Sequence, residues 1–324
     1  MSARVAVVGA GGIGGAHLDA YTRAGADVVA VVDVDKDRAT ERAAAVGAVG
    51  YTELQVMLQE TRPDAISICT PPADHAGAAI AALQAGVAVL CEKPMALTPQ
   101  DCAAMIAAAG ESGALLSVGF CHRFQPEIEA IRDALADGLI GTPLAYRNRF
   151  AGPLDGVENS WFSDPAIAGG GVLMDTCVHS VDLFRHLIGE VERVRAVTAT
   201  TATNRGPAVA VEDSAVLAIQ STGGVVGTIE ASWRTAPGEA VVMIVGSDGR
   251  IDFDYSTGAL THTTADGESS AMSAAGEDRF VGQARHFLAC LAGAEQLRVT
   301  GQDGARAAEV LAEAYADATM ISSR

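Results

Sequence analysis

Through residue 122 the chain alternates short, continuously apolar runs with Ala-rich amphipathic stretches. Val5–Val8, Val28–Val32, Ala65–Cys69, Val87–Cys91 and Leu115–Val118 read as strands. Gly14–Arg23, Lys36–Val46, Thr52–Gln59, Ala76–Gln84 and Pro99–Ala109 read as the helices between them. Strands without polar alternation are buried on both faces, so this grammar predicts a parallel sheet with helices on either side, a doubly wound α/β unit. A helix from about Phe124 to Ala136 follows, and beyond it the period changes. Val225, Gly227, Ile229, Ala231 and Trp233 alternate with Val226, Thr228, Glu230, Ser232 and Arg234, the period of a half-exposed strand. Leu144–Phe150, Val194–Thr203, Val211–Gln220, Ala240–Val245 and Arg250–Tyr255 look alike, with turn signals at Thr222-Gly223-Gly224 and Ser247-Asp248-Gly249. The later part therefore predicts a mostly antiparallel sheet with a few helices. Its last helix, about Asp303–Thr319, carries an apolar stripe at Ala307, Val310, Leu311 and Ala314.

A length of 324 residues suits two domains, which the change of period places at 1–122 and 123–324. The formal charge of −18 is spread over both, −6 in residues 1–122 and −12 in the remainder. Acidic halves offer no attraction to phosphate backbones or to anionic membranes, so neither nucleic acid nor a membrane surface is an expected partner. Nor does any segment approach the roughly 18 continuous apolar residues of a membrane span. Met1-Ser2-Ala3-Arg4 leads straight into the first strand, with no room for a signal peptide. The six cysteines, none in a CxxC spacing and most in apolar runs, read as reduced and buried. A cytoplasmic location is expected.

Gly9-Ala10-Gly11-Gly12-Ile13-Gly14 supplies G-x-G-x-x-G between the first strand and the first helix. The first glycine permits the turn, the second lets a pyrophosphate reach the backbone, and the third lets helix and strand lie close. Such a motif alone is weak evidence in a chain with 35 glycines. Here, however, the second strand ends in Asp33, placed to accept hydrogen bonds from an adenosine ribose diol and to repel a 2′-phosphate. The first domain is read as a Rossmann unit for a dinucleotide, with NAD favoured over NADP.

Thr70-Pro71-Pro72 and Glu92-Lys93-Pro94 follow two further strands, and ligands of such sheets collect at the carboxyl ends of strands. Only Lys36 and Lys93 among the 22 cationic residues are lysines. A lysine differs from arginine in being compact and in losing its proton more readily when buried. Lys93 therefore reads either as a chemical group at the mouth of the sheet or as an ion-pair partner of Glu92. In the second half, Gly169-Gly170-Gly171 leads into Asp175 and His179, which share a face at helical spacing. A histidine oriented by a carboxylate is a competent general base near neutral pH. Asp182 and His186 repeat the spacing without the glycines. Two ligands at i and i+4 with no Cys or Glu motif to complete them do not make a metal site, and no metal is expected.

Taken in order and spacing, these motifs resemble the glucose–fructose oxidoreductase/inositol dehydrogenase/MocA family. The match runs from Val5 to about Ala318. It includes Gly9–Gly14, Cys69-Thr70-Pro71-Pro72 with His75, Glu92-Lys93-Pro94, Gly119-Phe120 with Arg123-Phe124, the Gly169–His179 segment and Thr300-Gly301-Gln302-Asp303-Gly304. The resemblance implies a second domain with a large, open, mostly antiparallel sheet, used for substrate binding and for assembly into dimers or tetramers. It implies that Lys93 holds and polarises a reacting hydroxyl, that His179 removes its proton and that Asp175 orients His179. Cofactor contacts are expected from Gly9, Gly11, Gly12, Ile13, Gly14, Asp33, Thr70, Pro71, His75 and Glu92. Substrate contacts are expected from His122, Arg123 and Trp161. Cys121-His122 departs from the Asn, Met or Arg that relatives often carry in this loop, which helps to choose substrate. The function implied is an NAD-dependent dehydrogenase of a secondary alcohol in a sugar or cyclic polyol, inositol-like substrates favoured. A reductase of ketosugars, anhydrosugars or nucleotide-linked sugars would run the same chemistry. A non-catalytic nucleotide sensor would have no need of Lys93, Asp175 and His179 together.

Overall fold

A computed structural model of the chain describes residues 2–202 and 209–322. They form two compact units: residues 1–124 with 277–308, and residues 125–276 with 309–324. The chain thus returns to the first unit after leaving the second, a feature absent from the simple division at 122/123.

In the first unit β1 (Arg4–Val8), β2 (Asp27–Val32), β3 (Val49–Tyr51), β4 (Ala65–Ile68), β5 (Ala88–Cys91) and β6 (Leu116–Val118) make one sheet in the order β3-β2-β1-β4-β5-β6. Every pairing is parallel. The connections are α1 (Gly12–Ala24), α2 (Lys36–Val46), α3 (Leu54–Thr61), α4 (His75–Gln84) and α5 (Pro99–Ser112). Their ends follow local chemistry. Asp35 caps α2 by accepting from the N–H groups of Asp37 and Arg38, and Thr98 caps α5 ahead of Pro99. The expected strands and helices are present with shifts of a few residues at their ends. The edge strand β3 is not legible from periodicity, because three residues, one of them glycine, carry none.

In the second unit α6 (Pro126–Ala136) precedes a nine-stranded sheet. Its strands are β7 (Pro143–Ala151), β8 (Val191–Thr200), β9 (Ser214–Ser221), β10 (Val226–Ser232), β11 (Glu239–Gly246), β12 (Gly249–Asp254), β13 (Ala259–Thr264), β14 (Ser269–Ala271) and, near the end of the chain, β15 (Thr319–Ser322). Their order is β14-β13-β12-β11-β7-β10-β9-β8-β15, with only β7–β10 and β8–β15 parallel. The expected reach of the Val194 strand to Thr203 extends outside the described residues. Of the helices that follow β7, α7 (Pro165–Ala168) and α8 (Val178–Leu187), α8 packs on one face of the sheet, where Tyr146 of β7 meets its Phe184 edge-on at 5.2 Å. The other face carries Val197, Val216 and Val226, each about half exposed, with Val197 and Val216 directly paired.

Two further helices complete the chain, α9 (Arg279–Leu291) and α10 (Gly301–Asp317). Val281, Ala284 and Phe287 of α9 join the core of the first unit. The stripe Ala307, Val310, Leu311 and Ala314 of α10 is buried as its spacing requires.

Candidate active site

The nucleotide end of the first unit is built where its strand order reverses, between β1 and β4. Gly9 has φ +92, and a Cβ there would lie 2.6 Å from the Cys69 carbonyl, so only glycine fits. A Cβ on Gly14 would run into the Gly9 carbonyl, which is the close helix–strand approach the motif calls for. A Cβ on Gly11 or Gly12 would meet no protein atom, and Ile13 beside them is 36% exposed. The loop therefore leaves room on the side where a pyrophosphate would lie. Asp33 at the end of β2 is buried, and its carboxylate accepts from Ala10 N at 2.8 Å and Asp35 N at 2.9 Å. Arg38, paired with Asp35 at 3.1 Å, also reaches Asp33 at 3.4 Å. At the end of β4, Thr70 Oγ1 is buried with no hydrogen-bond partner among the described residues, and Pro71 beside it is half-buried. An orphaned hydroxyl, an open glycine loop and a buried acid at the second strand end together fit a dinucleotide.

Two buried histidines hold the same end. His75, at the start of α4, places Nε2 2.8 Å from the Thr70 carbonyl and Nδ1 2.8 Å from the Pro94 carbonyl. Burial lowers its pKa against those two carbonyls. The neutral ring donates to one carbonyl and lies against the other, so His75 is packed between the two turns that follow β4 and β5. Glu92 is likewise buried: Oε1 lies 2.9 Å from His17 Nε2 and Oε2 accepts from Lys93 N at 3.1 Å. Both residues, expected from sequence among the cofactor contacts, shape the site from within. Lys93 follows directly, at the carboxyl end of β5. The short helical turn Cys121–Phe124 holds two more expected residues. His122 is buried, and burial with the charges of Arg279 and Lys93 keeps it well below the ordinary histidine range, hence neutral at pH 7. Arg123 pairs with Asp303 at 2.9 Å and donates to the Arg298 carbonyl at 3.2 Å. Its guanidinium thereby ties the turn to α10.

The second unit contributes the glycine-rich segment. Asp175 lies in a π-helical turn, Leu173–Cys177, and His179 on the first turn of α8. The expected α-helical face is thus wound more loosely over its first turn, a feature frequent at functional sites. Asp175 accepts from Thr176 Oγ1 at 3.1 Å, and both Asp175 and His179 are half-buried. The turn is pinned by Glu212, whose Oε1 accepts from Gly171 N at 2.9 Å, Leu173 N at 3.0 Å and Tyr315 Oη at 2.7 Å. A Cβ on Gly171 would strike the Glu212 carbonyl and one on Gly170 the Tyr315 hydroxyl, so the glycines are demanded by this anchor. The repeated pair differs: Asp182 is fully buried inside the unit, where its charge, after burial, raises the Tyr146 phenol. Trp161 lies half-buried in a short turn and stacks on Phe162 at 3.8 Å.

Sequence reasoning missed His17, Glu212 and Tyr315. Glu212 had a signal, since Glu212-Asp213 is a pair of adjacent acids inside an otherwise apolar run. His17 had a weaker one, a lone histidine three residues past the last motif glycine.

A Rossmann unit with an orphaned hydroxyl and an open phosphate loop, joined in one chain to a sheet domain carrying a pinned Asp/His turn, defines a nicotinamide-dependent oxidoreductase. Residues 3–120 match the family described as oxidoreductase family, NAD-binding Rossmann fold, and residues 128–252 the GFO/IDH/MocA C-terminal domain. The D-apiose dehydrogenase of Paraburkholderia graminis is 30% identical, over 98% of this chain and 87% of its own. The myo-inositol 2-dehydrogenase of Thermotoga maritima is 28% identical, over 93% and 92%. Among solved structures, levoglucosan dehydrogenase in complex with NADH and levoglucosan superimposes with a TM-score of 0.88 at 25% identity, covering 98% of this chain and 97% of that one. The chain belongs to the Gfo/Idh/MocA family, as an NAD-dependent oxidoreductase acting on CH–OH groups.

Proposed function

We propose that the protein oxidises a secondary alcohol of a cyclic polyol or sugar, with inositol-like rings favoured, and that Lys93, Asp175 and His179 carry the reaction. Bound NAD supplies the hydride acceptor. The Lys93 ammonium holds the reacting oxygen and steadies the negative charge that grows on it as its proton leaves. His179 takes that proton, and Asp175 orients the imidazole. Neutral His122 both donates to and accepts from ring hydroxyls, with Arg123 and Trp161 as further substrate contacts. The observation that carries this reading is the placement of Lys93: it stands at the carboxyl end of β5 on a turn whose neighbours Glu92 and Pro94 are both gripped by buried imidazoles. Lysine on so fixed a backbone suits catalysis better than surface pairing. The relatives named above act on an inositol and on sugars, which supports a polyhydroxylated ring as substrate. The half-exposed Val197, Val216 and Val226 support assembly of a cytoplasmic homodimer or homotetramer through the free sheet face.

With His179 as base, the rate of alcohol oxidation rises with pH as the imidazole gives up its proton, because the protonated ring cannot accept. His179→Asn abolishes that rise and lowers kcat about 10²- to 10⁴-fold. A flat wild-type profile between about pH 6 and 9, with hydride transfer shown to be rate-limiting, would remove His179 from this role.

A further inference from the structure

Arg279, the first residue of α9, is a cation that the first unit leaves without a counter-ion. It is half-buried, and its guanidinium lies over the ring of the next residue, Phe280, 5.4 Å from the centroid. Among the described residues it takes neither an ion pair nor a hydrogen bond. Acids are plentiful in this chain, 40 against 22 lysines and arginines, yet the two that precede Arg279 are committed elsewhere. Glu277 accepts from Arg285 Nε at 2.6 Å, and Asp278 caps α9 by accepting from the N–H groups of Phe280 at 3.0 Å and Val281 at 3.4 Å. The position is adverse to a cation as well, because the first turn of a helix is the positive end of its dipole. A charge held there against the dipole and without an acid does nothing for the fold.

The surroundings of Arg279 say what it could serve. α9 lies against the turn Cys121–Phe124: a Cβ on Gly282 would lie 3.5 Å from Phe124 Cβ, and Gln283 donates to the Val118 carbonyl at 3.4 Å. The Phe280 ring meets the His17 ring at 6.0 Å, and His17 in turn holds Glu92 at 2.9 Å, one residue before Lys93. The first turn of α9 is thus set at the carboxyl end of β5, next to residues proposed above to meet the substrate. The charge of Arg279 reaches two residues of the neighbouring turn. Burial pushes the Cys121 thiol up to about 12 against it, and it adds to burial in keeping His122 neutral.

We propose that Arg279 receives an anionic group of the substrate, a carboxylate or a phosphate, beside the His122 ring. The substrate class then narrows from polyhydroxylated rings in general to sugar acids and to phosphate esters of sugars or polyols. Arginine suits either anion, since its planar fork offers paired N–H donors to two oxygens of one group. Neutral His122 beside it can bond to hydroxyls without adding a charge of its own.

The inference rests on the reading of this site as the place of a polyhydroxylated ring, and it is tested by binding, without turnover. The protein saturated with NADH is titrated calorimetrically with matched compounds: glucose against glucuronate and glucose 6-phosphate, galactose against galacturonate, and myo-inositol against its 1-phosphate. At least one acid binds about tenfold or more tightly than its neutral parent, a uronate if the anion is a carboxylate and an ester if it is a phosphate. Arg279→Met removes that advantage and leaves the affinities for the neutral parent and for NADH unchanged. Arg279→Lys keeps only part of it, because an ammonium cannot grip two oxygens in one plane. Raising salt from about 0.05 to 0.5 M weakens the acid and not its parent. Equal affinities within every set, no measurable binding of any acid, or an advantage that survives Arg279→Met overturns the proposal. A loss of NADH affinity in Arg279→Met overturns it too, by giving the guanidinium to the cofactor. An advantage that depends on Arg279, in a protein that reduces NAD with none of these compounds, would keep the anion site and remove the catalytic reading.

Discussion

At the scale of single residues, the site depends on which polar groups the protein uses internally and which it leaves to a ligand. The ring nitrogens of His17 and His75 and the carboxylates of Glu92 and Glu212 are engaged inside their units, whereas Thr70 Oγ1 is buried with no partner among the described residues. Lys93 is the residue on which the proposed function rests most. Lys93→Met should leave NADH binding nearly intact, since phosphate capture belongs to the Gly9–Gly14 loop and the amides of α1. It should lower kcat on the order of 10²–10³-fold, the usual effect of removing one preorganised donor to a developing oxyanion. Lys93→Arg should not restore the rate, because a larger planar guanidinium cannot place its charge at the same point. Steady-state kinetics beside NADH fluorescence titration separates the two effects, and a fully active Lys93→Arg protein would reduce Lys93 to an ion-pair partner. The residues proposed for the chemistry could be picked out in sequence, because Lys, Asp and His at these places stand out against an arginine-rich, Ala-rich background. Their anchors were not. A buried glutamate such as Glu92 or Glu212 looks in sequence like any strand-end acid, and only the arrangement in space shows what accepts and what donates.

At the scale of elements, the strands and helices of the first unit followed from their hydrophobic runs, because a strand buried on both faces and a capped helix each leave a strong local signal. Short elements escaped for the opposite reason: β3 and β14 have three residues each, too few for a period. The π-helical turn at Leu173–Cys177 escaped because its anchor is remote: the N–H groups of Gly171, Val172 and Leu173 all donate to Glu212, some forty residues later in the chain. One cross-element bond carries a pH signature. The raised pKa of His17 means that its ion pair between α1 and the end of β5 stabilises the unit fully below the unfolded histidine value of about 6.5. That stability is lost as pH rises through about 10. Glu92, lowered in the fold, contributes above its unfolded value of about 4.3, and that contribution fades only in acid. The difference in melting temperature between wild type and His17→Gln should therefore be largest near pH 6 and shrink toward pH 10. A difference that holds constant over that interval would mean that the histidine is neutral in the folded protein.

At the scale of the whole chain, the two-domain plan and the class of chemistry were legible because two different periodicities meet near residue 125. The return of residues 277–308 to the first unit was not, since Val281, Ala284 and Phe287 look like any amphipathic helix and nothing in them names the core they join. Among the described residues no helix is long and apolar enough to cross a membrane. The proposed reaction, hydride transfer from a secondary alcohol to NAD, is open to one direct measurement. The purified protein is incubated with NAD or NADP and a panel of ring polyols and sugars, including myo-inositol, apiose and levoglucosan, and the appearance of reduced nicotinamide is followed by absorbance. The account predicts NADH formation with at least one cyclic polyol or sugar, and a kcat/KM for NAD well above that for NADP, because Asp33 meets a 2′-phosphate with like charge. A panel that yields no reduced cofactor, while the same protein binds NADH, or a clear preference for NADP, would contradict it.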